Sequence, residues 1–278
     1  MSDILGYAFM QRALVAAVLV GVVCSVIGTY VVLKKMAFIG AGISHSAFGG
    51  VALGYLVGVS PIGIAIPFCL ATAMAIGWVS RKGRVSEDTA IGIFFASTMA
   101  LGALFIGLKE GGYNVDLFGY LFGSILAVSE SDLWLILGLG VGVIAVVLLL
   151  FKELLFMSFD EEMAAVSGLP VQALYFLLLG LMALTVIVSI KIVGIILVEA
   201  LLVIPAAAAF QLTRSFVRMM ALSVLIGVVS GVGGLFLSYW WDLPSGATIV
   251  LTAAAIFFVC FVLSPKRRRR LVLNRERS

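Results

Sequence analysis

The chain of 278 residues is 63% hydrophobic and 12% charged, with a mean hydropathy of +1.24 and a net charge of +4. These values exclude a soluble globular domain. Its apolar runs approach or exceed the roughly 20 residues that cross a bilayer core, which excludes a transmembrane barrel, whose strands alternate. The fold class expected is all-α, a polytopic helical membrane protein.

Block one runs over about Phe9–Leu33 and ends at Lys34-Lys35. Asp3 stands where a cleavable signal carries basic residues, and no small-residue cleavage pattern follows, so this span is expected to be retained. Block two, about Met36–Val59, holds the chain's one histidine. Block three, about Pro61–Val79, ends at Arg81, Lys82 and Arg84, and block four, about Ile91–Leu108, leads into the polar stretch Lys109–Asp116. The apolar segment Leu117–Val128 is too short to span and reads as interfacial or re-entrant. Block five is about Leu133–Phe151, block six about Val171–Ile190, block seven about Ile192–Leu212, block eight about Met219–Trp240 and block nine about Thr248–Leu263. Blocks six and seven are nearly continuous across Lys191, which leaves eight or nine spans open. No internal repeat is visible and no polar stretch is long enough for a soluble domain. Residues 1–278 therefore read as a single membrane domain, with a basic tail over 264–278.

Charge orients the spans. With nine of them alternating, one side takes all of the 18 lysines and arginines except Arg12, Lys109 and Lys191. By the positive-inside rule that side is cytoplasmic, with the N-terminus out and the C-terminus in. The tail Lys266–Arg270 reads as a topology anchor beside anionic membrane lipid rather than a nucleic-acid site.

The long polar interruption near the middle is Phe151–Pro170, FKELLFMSFDEEMAAVSGLP. Asp160 is placed to cap a helix whose first turn holds Glu161 and Glu162, carboxylates at the positive end of the dipole. Ala164 and Ala165 continue it, and Gly168 then Pro170 stop it. A short capped helix between two spans, over about 152–170, reads as a handle gripped by a partner.

Three features stand out inside the apolar blocks. Gly42, Ser46, Gly50, Gly54 and Gly58 recur every fourth residue of block two, a ridge where another helix backbone can approach closely. His45 lies beside that ridge, and neutral imidazole is a common ligand of divalent transition metals. Glu199, in VGIILVEALLVIPAAAA, is a carboxylate among aliphatic neighbours, expensive at that depth without a partner or a wet cavity. Pro205 follows, a candidate kink. Cys24, Cys69 and Cys260 lie in separate apolar blocks and read as packing residues. No paired carboxylates at helical spacing within one apolar block, no His-Glu metalloprotease pattern and no Gly-x-x-x-x-Gly-Lys phosphate loop occur, so no enzyme site is expected, and any ATP must be handled by a partner.

Four stretches, KKMAFIGAGISHSAFGGVALG, YLFGSILAVSESDLW, FDEEMAAVSGLP and KIVGIILVEALLVIPAAAA, resemble the metal-uptake permeases of ATP-binding-cassette importers. The likeness runs from block one to block nine. It implies a homodimer lining a central path, cytoplasmic ATP-binding subunits, an extracytoplasmic metal-binding protein that delivers the ion, and a place in the inner membrane of a bacterial or archaeal cell. The central insert then looks like the coupling helix, spanning Asp160, Glu161, Glu162, Ala164, Ala165 and Gly168. Members of the family often carry an Asp four residues before the histidine of block two. Here that position is Ala41, which makes Glu199 the candidate replacement acid in a transient metal path with His45. No permanently bound cofactor is implied, only a transported divalent metal: zinc, slightly preferred on imidazole affinity, or manganese or iron. A stand-alone carrier or channel, in which Glu199 and His45 couple to protons, is the alternative from another class, and a siderophore or vitamin importer permease is a variant of the first.

Overall fold

The computed structural model describes residues 7–83, 85–109, 123 and 128–264. The segment Leu117–Val128, apart from Gly123 and Val128, and the basic tail lie outside the described residues. Among the described residues nine helices are long and apolar enough to cross a membrane: α1 (Ala8–Leu33), α2 (Ala37–Val57), α3 (Pro61–Lys82), α4 (Glu87–Leu108), α5 (Glu130–Leu149), α8 (Val171–Ile190), α9 (Val193–Leu212), α10 (Phe216–Trp241) and α11 (Ser245–Val262). Two short helices, α6 (Phe151–Phe159) and α7 (Glu161–Val166), lie between α5 and α8.

Several helices begin before their apolar runs. The α4 helix starts at Glu87 rather than near Ile91, because Ser86 Oγ accepts the Thr89 amide at 3.2 Å and Glu87 and Asp88 sit at the positive end of the dipole. The α5 helix starts at Glu130, where Ser129 and Asp132 form a reciprocal capping box. Polar first turns carry the helix beyond the hydrocarbon, so hydropathy alone reads them as loop.

The region between blocks six and seven is a hairpin. Gly194 has φ 78° and ψ 164°, outside the helical range, whereas no such break occurs at Pro205. A side chain at Gly40 would meet both Leu202 Cδ2, at 2.8 Å, and Met182 Cε, at 3.8 Å. In one straight helix those two residues would stand about 30 Å apart, so α8 and α9 fold back on each other and nine spans result.

The most buried spans are α1, α2, α8 and α9, with the others arranged around them. Gly50 and Gly54 of α2 fit against α3: added side chains would lie 2.8 Å from Ala65 Cα and 2.6 Å from Pro61 Cα. In the middle of this contact Ser46 Oγ donates to Ile43 O at 2.7 Å and lies 3.6 Å from Cys69 Sγ. Gly42 faces Ile91 and Ile76. Gly58 departs from the ridge, since it has no neighbour within 4 Å and takes φ 75° as the left-handed C-cap of α2. The three cysteines are free and buried.

Candidate functional site

His45 on α2 and Glu199 on α9 come together, half-buried, with Nε2 3.2 Å from Oε1. The hairpin at Gly194 is what turns α9 so that Glu199, five residues along, reaches back to α2. The contact is short but not an aligned hydrogen bond: neither His45 Nδ1 nor Glu199 Oε1 has a hydrogen-bond partner among the described residues. Buried polar atoms are normally satisfied, so an imidazole and a carboxylate left in this way suit a third group held between them. The two side chains are 22% and 27% exposed, so the pair is only partly enclosed. Phe95 of α4 packs edge-on against the imidazole at 4.5 Å and limits its swing.

Glu199 also faces a cleft of about 340 Å³. It supplies the charge there; the rest of the wall is apolar, with Ala37, Phe38 and Ala41 from α2 and Ile196, Ala200 and Val203 from α9. Ala41, the position where the resemblance implies an acid, therefore shares a wall with Glu199. Among the described residues no group of three or more His, Cys, Asp and Glu side chains is arranged to hold a metal. Among the described residues the pair consists of one imidazole and one carboxylate, fewer ligands than a closed four-ligand site.

The second candidate region is α7. Asp160 Oδ1 accepts the Met163 amide at 2.9 Å, and the helix closes with Leu169 N–H donating to Ala164 O at 3.1 Å and Gly168 N–H donating to Ala165 O at 3.0 Å, Gly168 having φ 85°. Ala164 is buried beneath the helix, whereas Glu162 and Ala165 are exposed. Met163 and Val166 are 53% and 83% exposed, an outward apolar face unusual for a helix end bathed in water.

Glu161 points the other way. It pairs with Lys34 at 3.1 Å and with Arg81. Burial pushes its carboxyl upward, but hydrogen bonds from Arg81 and Lys34, with their charges, outweigh this and hold it below the ordinary value of 4.5. Lys34, Arg81 and the central insert thus meet at one end of the bundle, the end that the charge rule assigns to the cytoplasm. The sequence alone did not reveal these partners, nor the place of Phe95, one of two adjacent phenylalanines in an apolar run. Equally hidden was the close approach of Gly123, within YLFGSILAVSESDLW, to the backbone of Val193 and Gly194.

Residues 6–264 match the model of the ABC 3 transport family. The manganese transport system membrane protein MntC of Halalkalibacterium halodurans is 43% identical over 95% of this chain and 90% of its own length. The manganese import system permease protein ScaB of Streptococcus parasanguinis is 38% identical over 95% and 93%. A solved structure, PsaBC from Streptococcus pneumoniae in complex with Fab, superposes with a TM-score of 0.86 at 38% identity, covering 96% of each chain. With nine apolar helices among its described residues, the chain is a multi-pass inner-membrane permease and belongs to the ABC 3 transport family.

Proposed function

We propose that the chain is the membrane permease subunit of an ATP-driven importer of manganese, and that His45 and Glu199 hold the ion in passage. The observation that carries this is the meeting of the chain's single imidazole with the Glu199 carboxylate at 3.2 Å, beside a cleft, with polar atoms left unpaired. Metal import fits the family and the names of its relatives. Manganese is favoured over the zinc suggested by imidazole affinity because those relatives are named for manganese and no thiolate joins the pair. Family membership also sets this reading above a stand-alone carrier.

Hydrolysis of ATP belongs to a separate subunit. The α7 helix is the handle for it, with Met163 and Val166 as the apolar face that the partner covers and Ala165 at the contact. Two copies of the chain form the path, and an extracytoplasmic binding protein delivers the metal. Two protein ligands suffice for a transport site, since an ion held by a closed set would not leave.

The test is uptake of radioactive manganese by the assembled transporter in reconstituted vesicles. His45→Ala and Glu199→Gln each lower uptake by roughly tenfold or more, on the scale of losses at metal sites, while the ATP-binding subunit still co-purifies. Full uptake by the Glu199→Gln protein would refute the role given to the pair, and stronger competition by zinc than by unlabelled manganese would overturn the choice of metal.

A further inference from the structure

The cytoplasmic ends of several spans are joined through one acidic side chain. Glu161 of α7 holds Lys34, at the end of α1, and Arg81, in the last turn of α3. The Arg81 guanidinium lies 3.8 Å over the ring of Tyr175 on α8, and the Tyr175 hydroxyl donates to Glu87 Oε1 at 3.3 Å, in the first turn of α4. Two turns further along α4, Phe95 packs against His45. Contacts therefore run without a gap from the coupling helix to the imidazole. We propose that Glu161 is a positioning residue for transport, a two-armed ion latch that carries movement of α7 through Arg81, Tyr175 and Glu87 to α4 and so to the Phe95–His45 contact.

Partly exposed ion pairs add little to stability, so a modest stabilisation is not the main role of this one. The Lys34 side chain is only 11% exposed, so withdrawing Glu161 leaves a mostly buried charge without its partner, which is costly. When α7 shifts, the end of α1 follows or the charge is stranded. Arg81 adds a rigid planar link whose edge and face are used at once, the N–H edge by Glu161 and one face by Tyr175. Among the other acids of α7, Asp160 is occupied as the cap and Glu162 faces outward, so neither can replace Glu161.

This inference rests on the reading of α7 as the handle for the ATP-binding subunit and of His45 as part of the path. The experiment uses the complete transporter in vesicles, with manganese presented by its binding protein, and reads manganese moved per ATP hydrolysed. Glu161→Gln, which keeps shape and removes charge, lowers that ratio by between roughly twofold and thirtyfold, the range through which residues of coupled networks act. Tyr175→Phe deletes one hydroxyl and spares the ring under Arg81. It lowers the same ratio in an assembled complex, and the double variant is no worse than Glu161→Gln alone, because both changes cut one line. Ala165→Arg, on the outward side of α7, serves as the control for the handle. If Ala165→Arg uncouples while Glu161→Gln and Tyr175→Phe leave the ratio unchanged, the latch is wrong and the handle stands. If Ala165→Arg changes nothing either, the handle itself fails. Fully additive losses from Glu161→Gln and Tyr175→Phe overturn the relay, since they show two independent effects.

Discussion

Ala41 of α2 and Glu199 of α9 line one cleft together. Ala41 lies one helical turn before His45, so an acid placed there projects on the same side as the imidazole. Ala41→Asp is expected to restore part of the manganese uptake lost in Glu199→Gln, because a carboxylate then returns to the wall from the other helix. Uptake by the double variant no higher than by Glu199→Gln alone shows that Ala41 is outside the reach of the ion.

The glycines of α2 separate by environment. Gly54→Leu is expected to lower the thermal stability of the purified protein by about 1–3 kcal/mol or more, since the backbone of Pro61 has nowhere to move. Gly58→Ala meets open space but keeps a left-handed φ of 75°, so its penalty is smaller, about 1–2 kcal/mol, and is conformational. Equal tolerance of both substitutions contradicts the packing of α2 on α3.

Gly123 and Gly194 form a pair of positive-φ glycines, with φ 64° and 78°. A side chain at Gly123 would run into the backbone of Val193 and Gly194, at the turn from which Glu199 is aimed. Gly123→Ala is expected to reduce both folded yield and transport, as overpacking against backbone costs about 1–3 kcal/mol. Normal yield with lost transport would instead assign the glycine to the path rather than to the turn.

The pairing of Glu161 has a pH signature. Its carboxyl titrates below the ordinary 4.5, so its stabilising effect is fully present above that value and fades as the pH falls through the lowered folded-state value. Melting temperatures of wild type and Glu161→Gln should therefore differ by a constant amount between neutral pH and about pH 5 and converge in stronger acid. A difference that widens on acidification reverses the sign and removes the ion pairs as its cause. The effect is modest, because Glu161 is 38% exposed and solvent screens it.

Much of this protein was legible in one dimension. Continuous apolar runs dictate membrane spans because an unpaired backbone in lipid must form its hydrogen bonds within the helix, and the excess of lysine and arginine on one side sets their direction. The short α7 was equally readable, for the Asp160 cap and the Gly168 stop act within a few residues of the groups they satisfy. The limits appear where apolar pattern no longer distinguishes alternatives. Lys191 between blocks six and seven left one bent helix or two spans open, and the backbone angle at Gly194 decided it. Helical periodicity says which face a residue occupies but not which helix it meets. His45 and Glu199 are each conspicuous in the sequence, yet their 3.2 Å approach depends on α9 folding back beside α2, with glycines at positions 28 and 40 that admit Leu202. The partners of Glu161, Lys34 and Arg81, are likewise distant in the chain and were joined only when the ends of α1 and α3 were brought to the same side of the bundle. Local rules of charge, capping and hydropathy determined the spans and the short α7 helix; close packing between distant helices decided which side chains meet at the candidate site, because only there do groups far apart in sequence come within reach of one another.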